Sequence, residues 1–231
     1  MLLQTIMRIL SVISDISIVL PLIILYINRQ YLTKELKILS IYVIILFIRN
    51  IIGLIYNFLY LKYNYYANTV FYYNLTNIVG FYLIAYLYIL LLKDVFLKRL
   101  IYVFIVVFTI FTFFDIANGT LNINTAVFNK YSYLVSGILI TILAFIHLFK
   151  ILRELQTENI LTYSYYWLSA SFLLYFSSTF YMYLFVKNII SETRVNPMVL
   201  WQIDNICFII LSIILSFVFK FSKNLNPINS N

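Results

Sequence analysis

Three ionisable residues, Asp15, Arg49 and Asp204, each lie inside a long apolar run of the sequence. A charge placed in a bilayer costs about 2.5–3.5 kcal/mol on insertion scales, so such groups face a bundle interior or a cavity and find partners there. Counted from the ends of their runs, Asp15 and Asp204 lie about 6 residues, or roughly 9 Å, below one membrane surface. Arg49 lies about 16 Å down, near the middle, with a side chain long enough to reach toward that same surface. Three chemistries are open to this set. Arg49 can pair with Asp15, Asp204 or both and fix helix packing. It can serve as the anion partner in an outward-facing pocket for a small polar or amphipathic ligand. Asp15 and Asp204 can exchange a proton if water reaches them.

Residues three and four apart share a helix face, and several polar side chains repeat at that spacing. Trp201, Asp204, Asn205 and Phe208 form one such face; Asn74, Asn77 and Phe81 form another; Arg49, Gly53, Tyr56 and Asn57 a third. Tyr175 and Ser178 can line a fourth. The candidate ligand-binding set is therefore Asp15, Arg49, Asn74, Asn77, Tyr175, Ser178, Trp201, Asp204 and Asn205. The asparagines can equally act as interhelical hydrogen-bond glue.

The elements that must carry these residues are transmembrane helices. Hydrophobic residues make up 64% of the chain and charged ones 10%, far from the soluble balance of roughly 45–50% and 25%. A span needs roughly 20 apolar residues. The runs that qualify are 9–27, 38–60, 69–92, 100–116, 131–149, 163–186 and 198–219. The expected fold is all-α, a polytopic bundle of seven transmembrane helices forming a single domain over 1–231. The 100–116 run is short and ends at Asp115, and the one long loop, 117–129, is too small for a domain. Positive charge sets the orientation, because cytoplasmic loops retain Lys and Arg. Arg29, Lys34, Lys37, Lys93, Lys98, Arg99, Lys150, Arg153, Lys220 and Lys223 fall on one side. Arg8, Lys62, Lys130, Lys187 and Arg194 fall on the other. That bias predicts an outside N-terminus and a cytoplasmic C-terminus.

Several chemistries lack their residues. The basic residues are dispersed at the ends of apolar runs, so the net charge of +8 reads as topology and nucleic acid is not an expected partner. One cysteine, Cys207, and one histidine, His147, cannot build a metal centre of the usual ligand count. Cys207 is expected buried and unpaired, and His147 interfacial or packed. No Gly-x-Ser-x-Gly elbow or Gly-rich phosphate loop is present. Retinal would need a lysine in the middle of the last span, where Lys220 lies at its end. Pro21 is the sole proline within a span, a poor match to the broken helices of transporters. Catalytic residues, metals and cofactors are accordingly expected to be none.

The segments Trp167-Leu168-Ser169 through Tyr175-Phe176-Ser177-Ser178-Thr179, and Leu200-Trp201-Gln202-Ile203-Asp204-Asn205, resemble a family of small uncharacterised seven-helix bacterial integral membrane proteins. The resemblance implies a sensory role and a histidine and an acidic residue in the third helix, where this chain carries Asn74 and Asn77. The expected function is sensory or signalling, in the bacterial cytoplasmic membrane. The expected partners are membrane lipid and another membrane or cytoplasmic signalling protein. The alternatives are a membrane-embedded lipid-modifying enzyme using Asp15 or Asp204 as acid or base, and an accessory subunit of a membrane complex.

Overall fold

A computed structural model describes residues 2–63, 70–119, 121, 129–154, 159–193 and 197–225, with backbone alone at 2–4, 57, 60–63, 181–193 and 197–200. Lys62, Lys187, Arg194 and Asn57, invoked above, thus lie outside the described side chains. Among the described residues every regular element is helical. In chain order these are α1 (Leu2–Ser17), α2 (Val19–Ile27), α3 (Lys34–Tyr63), α4 (Val70–Leu91), α5 (Val95–Ala117), α6 (Lys130–Arg153), α7 (Ser164–Thr193) and α8 (Pro197–Lys220). Taking α1 and α2 as one interrupted span gives seven helices, and six are long and apolar enough to cross a membrane: α1–α2 from Thr5, α3, α4, α5, α6 and α8.

The break between α1 and α2 has a local cause. Pro21 has no amide hydrogen to give the Ser17 carbonyl, and its ring crowds that same carbonyl. The Ser17 hydroxyl donates to the Ser14 carbonyl at 2.7 Å and lies 3.0 Å from Ser212 Oγ on α8. The fourth span is longer than its apolar run. It begins at Val95 because the Asp94 side chain accepts from the amides of Phe96 (2.7 Å) and Leu97 (3.4 Å), a side-chain N-cap.

Polar contacts at both ends fix the up-and-down arrangement. At one end Asp115, late in α5, accepts from the amide (2.7 Å) and hydroxyl (2.6 Å) of Ser132 at the start of α6. At the other, Tyr165 of α7 donates to Glu35 of α3 (3.1 Å), and the Ser164 hydroxyl donates to the Val218 carbonyl of α8 (2.7 Å). Between them α7 packs along α6 and α8, α8 along α1 and α2, and α3 along α4. Gly137 permits the α6–α7 approach: a Cβ there would sit 2.8 Å from Phe180 Cβ, the small-residue contact typical of membrane helices. Phe81 and Phe108 stack at 3.9 Å in the core. Phe96 and Phe113 of α5 are about 70% exposed (72% and 70%), a liability in water and ordinary in hydrocarbon.

Candidate polar cavity at Arg49

Arg49 stands halfway along α3, and its guanidinium is held by its own neighbour. Nε and Nη2 both donate to Asn50 Oδ1, at 3.0 and 2.9 Å. The Asn50 amide then donates across the helix interface to the Asp15 carbonyl at 3.3 Å, just before the α1–α2 break. Asn50 is 2% exposed. The guanidinium carbon lies 4.9 Å from the Tyr73 ring centroid on α4 and 5.1 Å from that of Phe208 on α8. Both distances fall within cation–π range, where the negative ring face attracts the charge.

The direct ion pair expected for Arg49 does not form. Among the described residues the ion pair within 4.0 Å is Lys150–Glu154 at 3.8 Å, at the opposite end of the bundle. Asp15 and Asp204 remain close enough to feel the field of Arg49, and Asp204 accepts instead from the Tyr175 hydroxyl at 3.3 Å. The guanidinium is held locally: Asn50 supplies an oxygen one residue away and two aromatic faces supply the rest.

Beside Arg49 a cavity of about 40 Å³ opens between α3, α4, α6 and α7. Its polar walls include Arg49, Thr76, Asn77, Tyr133, Ser136, Tyr175 and Thr179, and its apolar walls include Phe81, Ile84, Ile140 and Phe176. Asn77 Oδ1 lies 3.0 Å from Ser136 Oγ, whereas Asn77 Nδ2 is buried with no hydrogen-bond partner. The neighbouring hydroxyls are engaged with the protein. Tyr133 donates to the Tyr73 carbonyl (3.0 Å) and Thr179 to the Tyr175 carbonyl (2.9 Å).

The nine residues singled out from sequence divide into three groups. Arg49, Asn77 and Tyr175 line the cavity. Asp15 and Asp204 flank it through Asn50 and Tyr175. The other four are used elsewhere. Asn74 accepts from the Asn129 amide (3.2 Å), Asn205 donates to Gln202 of its own helix (3.2 Å), and Ser178 is exposed and bonds the Leu174 carbonyl (2.7 Å). Trp201 is also exposed, at 46%. Asn50, Tyr133, Ser136 and Thr179 were not anticipated. Cys207 is free but half-buried rather than buried. His147 is buried, with Nδ1 2.6 Å from Ser169 Oγ and its ring against Tyr88.

The fold and site define a polytopic helical membrane protein with an internal polar cavity around one arginine. Comparison with protein-family models, curated proteins and solved structures returns no match, so the functional reading rests on the geometry above.

Proposed function

We propose that the chain is a sensory component of the bacterial cytoplasmic membrane, N-terminus outside, that receives a small ligand in the Arg49 cavity and reports occupancy through its broken first helix. The observation that carries this reading is Asn50, whose oxygen holds the guanidinium and whose amide holds the Asp15 carbonyl. An occupant that draws the guanidinium toward the cavity weakens the grip on Asn50 Oδ1 and frees the Asn50 amide to turn. The carbonyl it releases belongs to a stretch where Pro21 has already removed one helical bond, so α1 and α2 are the elements with least local resistance to reorientation. A ligand shifts such an equilibrium only by its differential affinity for the two arrangements, and Arg49 is the group that differs between them. The signal then passes to another membrane or cytoplasmic protein, consistent with the dense basic charge on the side assigned to the cytoplasm.

The lipid-enzyme alternative required Asp15 or Asp204 to line a cavity reached by lipid. Among the described residues the cavity walls hold no carboxylate, which favours binding over acid–base chemistry. The test uses the full chain in lipid nanodiscs, challenged with fractionated polar metabolites, reading Tm together with hydrogen exchange across Ser17–Leu20. A fraction that raises Tm and alters exchange at the break, in wild type and not in Asn50→Ala, supports sensing. Stabilisation with unchanged exchange, in every fraction that binds, refutes it.

A further inference from the structure

Resting on that reading of the Arg49 cavity as a ligand site, we infer that its occupant is a small monovalent anion. The inference starts from the donors left over. A guanidinium carries five N–H groups, and Arg49 directs Nε and Nη2 to Asn50 Oδ1. The remaining N–H groups make no hydrogen bond to a described residue, and no carboxylate stands within 4.0 Å of them. Also on the cavity walls, Asn77 Nδ2 is a buried donor without an acceptor. Buried donors without partners are rare in native structures because each costs about 1–3 kcal/mol. The hydroxyl protons around them are committed to protein oxygens, Thr76 to the Tyr72 carbonyl (2.7 Å) and Tyr175 to Asp204 (3.3 Å) among them, so the N–H groups of Arg49 and Asn77 are the donors left for an occupant. The cavity walls therefore hold one cationic side chain and an unpartnered amide N–H donor, which is the complement of an anion.

Size and charge narrow the class. A water site requires about 10–15 Å³, so the roughly 40 Å³ available matches an ion of about three or four non-hydrogen atoms: a halide, nitrate, formate or acetate. A single charge is the most that Arg49, the one cation among the lining residues, can balance, because the Asp204 carboxylate bonded to Tyr175 already stands beside the cavity.

The experiment is thermal unfolding of the full chain in dodecylmaltoside with sodium nitrate, acetate, octanoate or gluconate at fixed ionic strength, and with neutral acetamide. Expected is a saturable rise in Tm with nitrate and acetate and none with gluconate, which is too large to enter; ligand binding to the folded state raises Tm in this way. Asn77→Asp, which turns a carboxylate toward the site and leaves Arg49 in place, weakens the apparent affinity at least tenfold. Arg49→Gln abolishes the effect, and if that variant does not fold, Asn77→Asp decides. Equal shifts with gluconate and nitrate would mean a general salt effect and overturn the inference. A rise with octanoate alone overturns it in favour of a lipid carboxylate. A rise with acetamide and with no anion overturns the anion class and leaves the ligand cavity standing. No shift with any solute removes both.

Discussion

The contact between Arg49 and Phe208 can be isolated energetically, and its size discriminates between two accounts of how the bundle tolerates a buried cation. The cycle compares Arg49→Met, Phe208→Leu and the double variant, by unfolding in mixed micelles of rising sodium dodecyl sulfate fraction. Phe208 is 3% exposed, so shortening it to leucine costs about 1–2 kcal/mol of packing in any background, scaled from Phe→Ala losses of about 3–5. With Arg49 present the change also removes one face of the aromatic sandwich, whose centroid lies 5.1 Å from the guanidinium carbon. A desolvated cation–π contact is worth about 2 kcal/mol. Phe208→Leu should therefore cost about 3–4 kcal/mol beside Arg49 and about 1–2 beside Met, a coupling near 2 kcal/mol. Independent sites add within about 0.3–0.5 kcal/mol. A measured coupling below about 0.5 kcal/mol would refute the aromatic account. So would a parallel Arg49–Asp204 cycle giving the larger coupling, since breaking a true buried ion pair costs about 3–5 kcal/mol.

Four further outcomes follow from named contacts. Gly137→Ala should lower stability in the same assay by about 1–2 kcal/mol, because the methyl meets Phe180 Cβ at 2.8 Å and overpacking outweighs the helix-propensity gain of about 1 kcal/mol. Asp115→Asn should cost about 2 kcal/mol, since it weakens two short bonds from Ser132, and Ser132→Ala, which removes the hydroxyl bond and keeps the amide one, should reduce that cost by about half. An alkaline phosphatase fused after Lys223 should be inactive and a cytoplasmic reporter at the same place active; the reverse pattern would invert the orientation. Half-buried Cys207 should react in intact membranes with a lipid-soluble maleimide far faster than with an impermeant one, and rapid impermeant labelling would contradict the placement of α8.

Hydropathy made the spans legible and left their ends unread, for a physical reason. It measures the thickness of hydrocarbon a segment can cross, whereas a helix continues until its backbone groups find another partner. Lys98 and Arg99 interrupt the apolar run and set its apparent start at Leu100, yet the helix begins at Val95, where Asp94 captures two free amides. Asp94 is a favoured capping residue and was a usable signal. The α1–α2 break was readable from Pro21 in the same sense, although proline alone leaves open whether a membrane helix kinks or stops, because neighbours can satisfy the freed carbonyl.

At the site, three of the residues picked out by spacing and depth, Arg49, Asn77 and Tyr175, line the cavity, whereas Ser178 does not and its neighbour Thr179 does. Asn50 escaped because adjacent helical residues do not ordinarily face each other; the long arginine side chain folds back over the shorter amide, which a periodicity search cannot register. The partner of the Arg49 charge is not another charge within ion-pair distance. Pairing Arg49 with a carboxylate in the bundle would require desolvating two ions, and the attraction between them has to offset both penalties. An asparagine oxygen and two aromatic faces hold the guanidinium instead, and the two donated bonds use only part of its hydrogen-bonding capacity. Through one amide side chain the guanidinium is thereby tied to the Asp15 carbonyl beside the α1–α2 break, so a change at Arg49 reaches the first helix without passing through any ion pair.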